Sequence, residues 1–297
     1  MDEQRTPDAP EVVVGTDGTD TSLRAVAWAA AEARLRDVPL RIVHAAPYVT
    51  PTNKVGRRRA TAILGRAYTV AHQYEPQLLA HTEQLDQQPV HALVEASKDA
   101  ALLAVGMVGD RLGEVVIGSV ALSVSASAHC PVAVVRGHHR SPSEGDSVLL
   151  GLENVAVDSP AITVAFDDAQ RHGTPLIILH AQRDSVRSRV TGRNARTAPE
   201  QALAEQLAPW RSRYPTVPTE LRMVHGAPAE ELLRAASTAR LVVVGTHGHR
   251  GPARAVLGST SRMLVRHSSC PVIVAGRDTV AGKATPAPSA ALPHRGD

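Results

Sequence analysis

The chain repeats itself, and the spacing of that repeat limits the fold more than any single motif does. Gly15 follows the run EVVV, and 136 residues later Gly151 follows VLL. His44 in RIVHA and His180 in IILHA keep the same offset of 136. Pro89 and Pro228 stand 139 apart, as do Gly106 after LLAV and Gly245 after VVV. Gly118-Ser119 and Cys130-Pro131 precede Gly258-Ser259 and Cys270-Pro271 by 140. A drift of four residues over a whole half places the insertions in loops and leaves one element order used twice. Two domains are expected, 11–136 and 147–275, joined by the polar linker GHHRSPSEGD and followed by an Ala/Pro/Gly-rich tail after Arg277.

Within each half, short apolar runs alternate with helical stretches. EVVVG, PLRIVHA, ALLAVG and PVAVV read as strands bounded by turn residues. Between the first two lies TSLRAVAWAAAEARLRD, helical by its alanine content, with Thr19 or Asp20 as N-cap and Pro39 marking the return to a strand. A basic loop carrying Arg57, Arg58 and Arg59 follows, then a helix near 59–75, a weakly alternating strand near 79–85 and a short helix over 90–99. The second half repeats this order at 148–151, 160–172, 175–181, 199–212, 217–224, 228–237, 241–245, 258–267 and 271–275. Strands too apolar to face water on one side, alternating with helices, predict an α/β fold with a parallel sheet covered on both faces.

Composition removes several functions. Aromatic residues make up 2% of the chain against 43% apolar, so alanine, valine and leucine must fill the core and little is left to stack on nucleic-acid bases. A net charge of +3 is too small for a polyanion binder. No apolar run approaches the ~18 residues of a membrane span, and MDEQRTPDAP has neither a basic nor an apolar signal region, so a cytoplasmic protein is expected. Cys130 and Cys270, at matching positions before Pro-Val, are expected as reduced, buried thiols.

In an open parallel sheet the ligand crevice lies beyond the carboxyl ends of the strands, where strand order reverses. Gly15-Thr16-Asp17-Gly18 follows the first strand there. Gly106-Met107-Val108-Gly109 follows the fourth and leads to Gly118-Ser119, where another helix begins. The second half has Gly245-Thr246-His247-Gly248, nine residues, then Gly258-Ser259-Thr260. Glycines let backbone amides approach phosphate oxygens, and a helix N-terminus adds positive partial charge. An acid at the end of the first strand suits the hydroxyls of a ribose.

Gly-x2-Gly-x9-Gly-Ser after VVVG and before CPVIV, together with the opening VVVGTDG, resembles the ATP-binding pattern of the universal stress proteins, over nearly the whole chain. The resemblance implies two tandem Rossmann-like domains, each an open five-stranded parallel sheet of order 3-2-1-4-5. It implies ATP or another adenine nucleotide as ligand, with Mg2+ only as the ion that accompanies it, and no catalysis beyond slow hydrolysis. Asp17, with Gly18, would meet the ribose, as would Glu153 in the second half; the backbone at Ala45 or Ala181 would meet the adenine. Gly106, Gly109, Gly118, Ser119 and Val120 would cradle phosphates in the first half, and Gly245, Gly248, Gly258, Ser259 and Thr260 in the second. The halves are expected to pair through their last strands, Val132–Val135 and Val272–Ala275, as a pseudo-dimer, with a further homodimer conceivable, since either strand alone would be an apolar edge.

Each half departs from the pattern. Eight residues rather than nine separate Gly109 from Gly118, and Met107 and Val108 replace Thr246 and His247. In the second half Glu153-Asn154 replaces Asp-Gly, which moves the carboxylate outward by about 1.5 Å. Losing one charge-assisted hydrogen bond costs about 1.5–3 kcal/mol, about ten- to hundredfold in affinity. On loop length the second half is expected to bind the triphosphate more tightly. A nucleotide-free interaction module of the same fold, or an adenylyl transferase, stays open beside the binding reading, although neither GTDG nor GLEN carries an adenylyl-transfer histidine. His44 and His180 are expected to be structural. His247, His249 and Arg250 belong to the phosphate loop, and the arginine runs, including those at 183, 187, 189, 193 and 196, to solvated loops.

Overall fold

Val12, Val13 and Val14 are all fully buried although successive side chains of a strand point to opposite faces, so the strand they form is covered on both sides. The computed structural model describes residues 10–50, 52–107, 118–136, 146–182, 197–246 and 256–276. The first half runs β1 (Glu11–Gly15), α1 (Asp20–Arg36), β2 (Leu40–Ala45), α2 (Lys54–Tyr74), β3 (Ala80–Leu85), α3 (Pro89–Ala96), β4 (Ala100–Met107), α4 (Ser119–Ser127) and β5 (Val132–Arg136). The second repeats it as β6 (Ser147–Gly151), α5 (Ser159–His172), β7 (Leu176–Gln182), α6 (Thr197–Arg213), β8 (Thr219–His225), α7 (Pro228–Ala236), β9 (Ala239–Gly245), α8 (Ser259–His267) and β10 (Val272–Ala275).

The ten strands form one sheet of order β3-β2-β1-β4-β5-β10-β9-β6-β7-β8. Every pairing within a half is parallel, in the expected order 3-2-1-4-5. β5 and β10 pair antiparallel, Val132 with Val274, Ala133 with Ile273 and Val134 with Val272. This pairing relates the halves by a pseudo-twofold axis at Ala133 and Ile273, so their strands point in opposite directions. The outermost strands, β3 and β8, carry the polar sequences AHTEQL and TELRMVH, which suits them to exposed edges.

Each face of the sheet carries a core that runs through both halves. One gathers Val12, Val14, Leu64, Phe166 and Leu207 under α1, α2, α5 and α6. The other gathers Val13, Leu93, Val124, Leu232 and Leu264 under α3, α4, α7 and α8. Ala25, Ala29, Ala30 and Ala33 of α1 are wholly buried, which explains how a core nearly free of aromatics stays tight: small side chains bring helix and sheet together. The approach is closest at Gly106, where a Cβ would stand 2.8 Å from the Thr21 carbonyl oxygen and 2.9 Å from the Ser22 Cα of α1. Cys130 and Cys270 are free and buried, and burial pushes the Cys130 thiol up to about 12.

Of the two candidate caps for α1, Thr19 serves, its side chain accepting from the Ser22 amide, and one expectation needs correcting. Arg57, Arg58 and Arg59 lie in α2, not in a loop, because Asn53 caps that helix early by accepting from the Gly56 amide at 2.9 Å. The three arginines are exposed on its surface. The arginines at 183 to 196 lie outside the described residues.

A second contact ties the halves together. Glu32 and Arg36 of α1 meet Asp168 and His172 of α5, residues related by the same offset of 136. Arg36 pairs with Glu32 and, at 2.5 Å, with Asp168, and His172 Nε2 stands 3.0 Å from Glu32. All four side chains are less than a tenth exposed. Burial raises the Glu32 carboxyl, but Arg36 and then His172 outweigh it and hold it at about 2. Burial pushes the Asp168 carboxyl up against the pull of Arg36.

Removing one member of such a buried group strands the others. Arg36→Met is expected to cost about 3–5 kcal/mol, read as a lower urea midpoint. Glu32 lies below its ordinary 4.5 in the folded chain, so its contribution is complete above that pH and is lost as pH falls towards about 2. Glu32→Gln should flatten that part of an acid-unfolding profile. At Gly106 the added methyl of Gly106→Ala meets backbone on α1 and should destabilise by about 1–3 kcal/mol. Gly65→Ala in α2, with nothing within 4 Å, should be neutral or stabilising by up to about 1 kcal/mol in the same melts.

Candidate functional site

The chain leaves β1 for α1 on one face of the sheet and reaches β4 from α3 on the other, which opens a crevice beyond the carboxyl ends of those two strands. β6 and β9 form the matching crevice in the second half. Because the halves run in opposite directions, the two crevices lie at opposite ends of the strands and cannot share a ligand.

In the first half the loop after β1 is held at several points. The Thr16 amide donates to the Val43 carbonyl at 2.9 Å, extending the ladder one residue past β1. His44 is buried, with Nδ1 2.8 Å from the Thr16 carbonyl oxygen and Nε2 2.8 Å from the Tyr48 hydroxyl. A carbonyl can only accept, so Nδ1 carries the proton and the Tyr48 hydroxyl donates to Nε2. Gly18 adopts φ +82°, where a side chain would be strained and would meet Ile63 of α2 at 2.9 Å. Asp17 is left at the exposed tip, its Oδ1 accepting from the Thr19 amide at 3.0 Å and the Thr19 hydroxyl at 2.6 Å. Partial burial raises its carboxyl, the Thr19 hydrogen bonds outweigh that, and the net position is below the ordinary range. Asp17 is therefore a fixed, ionised acceptor at neutral pH.

Behind this loop stands Ser22, which sequence reasoning passed over. Its hydroxyl is 3.0 Å from the Thr16 hydroxyl and accepts from the Asp17 amide at 3.4 Å. The Gly18 amide donates to the Thr16 hydroxyl at 3.3 Å. The Asp17 and Gly18 amides thus face neutral hydroxyls at long range.

The second half keeps the anchor and changes the loop. The Leu152 amide donates to Leu179 at 3.0 Å and His180 Nδ1 donates to the Leu152 carbonyl at 3.0 Å, as at Thr16 and His44. The structural role expected of both histidines is the same one, holding the loop to β2 or β7. Beyond this point Asp158 replaces Ser22, and its Oδ2 accepts from the amides of Glu153 and Asn154, both at 2.9 Å. Asn154 Oδ1 accepts from the Ala156 and Val157 amides. These bonds take the place of a first helical turn: α5 starts at Ser159, whereas α1 starts at Asp20, the counterpart of Ala156. The signal for both residues was the 136-residue alignment itself, which sets Asp158 against Ser22.

At the far side of each crevice, α4 and α8 begin at Ser119 and Ser259 behind Gly118 and Gly258, and among the described residues no side chain caps either helix. The first amides of each, including those of Val120 and Thr260, have no acceptor within their own helix. Gly118 lies over Met107, whose Cε is 2.5 Å from the place of a Cβ. The Gly258 amide donates to Thr246, and the Ser261 hydroxyl to the Gly245 carbonyl. Gly106 and Gly245 have packing reasons to be glycine, the α1 backbone in one case and Asp158 Oδ1 at 2.5 Å in the other. Ala45 ends β2 partly exposed, and Ala181 lies within β7 against the second core. Gly109, Gly248, Val108, His247, His249 and Arg250 lie outside the described residues. Among the described residues no group of three His, Cys, Asp or Glu is placed to hold a metal, and no helix is long and apolar enough to cross a membrane.

Comparison with known proteins agrees with this fold. A family model described as the universal stress protein family matches residues 10–136 and again 146–276. A universal stress protein of Mycobacterium bovis is 33% identical over 283 residues, covering 89% of this chain and 96% of the relative. One from Mycobacterium tuberculosis is 34% identical over 284 residues, covering 89% and 95%. Among solved structures, a universal stress protein from Archaeoglobus fulgidus has the same fold, with a TM-score of 0.69 at 18% identity over 90% of this chain and 98% of that one. Two family matches in tandem, on a sheet whose halves repeat one strand order, establish that the chain belongs to the universal stress protein family.

Proposed function

We propose that this chain is a non-enzymatic stress-response protein of the cytoplasm that binds an adenine nucleotide, ATP in particular, in the crevice beyond β1 and β4. The observation that carries the reading is Asp17: an exposed, ionised carboxylate, fixed by Thr19 on a loop pinned through His44, at the point where strand order reverses. Such a group accepts from ribose hydroxyls at no cost in reordering. On the other side of the crevice the uncapped start of α4 presents Ser119 and Val120 amides to an anion. Ala45, where β2 ends, lies on the side of β1 away from β4, the place left for a base edge. Mg2+ would enter only with the phosphates.

The halves then act as a pseudo-dimer within one chain, a reading supported by the β5–β10 pairing and the α1–α5 ion cluster. The nucleotide's effect would be on partners or conformation rather than on a reaction, because the reading gives the exposed carboxylate of the loop, Asp17, to binding and the other polar groups of the loop to holding it in place.

Isothermal titration of the full chain with ATP tests this. Binding is expected, and Asp17→Ala should weaken it about ten- to hundredfold with the fold unchanged by circular dichroism. A chain that takes up no adenine nucleotide would return the fold to the role of an interaction module.

A further inference from the structure

We propose that nucleotide binding is confined to the first half, and that in the second half the Asp158 carboxylate, lying beneath the crevice loop, acts as a built-in anion. The inference rests on the proposed function and says which of the two sites works. It reverses the order that loop length alone suggests.

Three observations converge on Asp158. It is 4% exposed, so its carboxylate is part of the interior and not a mobile surface group. One oxygen takes both loop amides, Glu153 and Asn154, at 2.9 Å. The other stands 2.5 Å from where a Cβ on Gly245 would lie, so the side chain reaches from the loop after β6 to the end of β9. That span runs beneath the loop, where α5 packs on the end of β9, beside the point where strand order reverses. In the first half the same place holds Ser22, whose hydroxyl is neutral, small and only 3.4 Å from the Asp17 amide.

The chemistry of the two cases differs in kind. The Ser22 hydroxyl, which donates to the Thr19 carbonyl at 2.9 Å, sets no charge against an arriving anion. A buried carboxylate carrying two short amide hydrogen bonds cannot leave without stranding both donors and its own charge. It also faces a nucleotide's phosphates with charge of the same sign in a poorly solvated place. As N-cap of α5 it further sets a negative charge on the positive end of that helix. The loop follows suit: Asn154 takes the Ala156 and Val157 amides, and the tip that Gly18 forms in the first half has no equivalent.

The test is the stoichiometry of ATP binding to the full chain, read by isothermal titration. The native chain is expected to bind one nucleotide, and Asp17→Ala is expected to weaken that site about ten- to hundredfold. Asp158→Ser combined with Glu153→Asp restores the loop residues of the first half and should add a second site. Glu153→Asp alone should not. If the serine variant fails to fold by circular dichroism, Asp158→Asn, which keeps the shape and removes the charge, is measured in the same background. Two sites in the native chain, or one that survives Asp17→Ala at full affinity, would overturn the inference while leaving the proposed function standing. A second site created by Glu153→Asp alone, or none created in the combined variant, would take the exclusion away from Asp158. No binding by any variant would overturn the proposed function and this inference with it.

Discussion

The antiparallel pairing of β5 with β10 is the contact on which the rest of the molecule depends. Each half alone would end in an apolar strand, VAVVR or VIVA, with an unpaired ladder edge. Joined, they become the centre of a ten-stranded sheet, the most protected place in the fold, and the two cores run across the junction on both faces. The pairing also fixes the direction of each half, and so sends the two crevices to opposite ends. The ion cluster of Glu32, Arg36, Asp168 and His172 sits on the same pseudo-twofold relation, packed between α1 and α5. Hydrophobic burial supplies most of the cohesion there, while the buried charges penalise any other seating of the two helices.

Within this frame the two halves have kept their supports and changed their tips. His44 and His180 make the same hydrogen bond to the same turn. Cys130 and Cys270 occupy the same buried place before β5 and β10. Gly106 and Gly245 are both pressed from the side of the neighbouring helix. Divergence begins at the histidine's partner, Thr16 against Leu152, continues at Asp17 against Glu153, and extends to Ser22 against Asp158. A support is constrained by a packed core in which few substitutions fit; a loop tip answers only to its ligand. Duplication followed by loss of constraint on one tip would leave this pattern.

The site was legible in part. Asp17 and the glycine-bearing turns were found from position alone, because a parallel sheet has only one kind of place for a ligand. The role of the glycines was less legible: Gly106 reads as a phosphate contact in sequence, yet its lack of a side chain is demanded by the α1 backbone. Arg57 to Arg59 read as a basic loop, since a polar run gives no periodicity, and an asparagine cap three residues upstream of Gly56 turned it into helix.

The sequence by itself determined the duplication, the alternation of strands and helices, the parallel order within each half and the strand ends where a ligand could sit. These follow from periodicity, turn residues and a fixed offset, all of them local or repetitive properties of the chain. Only the tertiary structure decided where the carboxylate of Asp158 points, which charges of α1 and α5 meet, and which glycines are pressed by neighbours. Those depend on distances between segments far apart in the chain: Arg36 and Asp168 are separated by 132 residues, and no local pattern marks them as partners. What brings them together is the closure of one sheet from two, which seats α1 against α5.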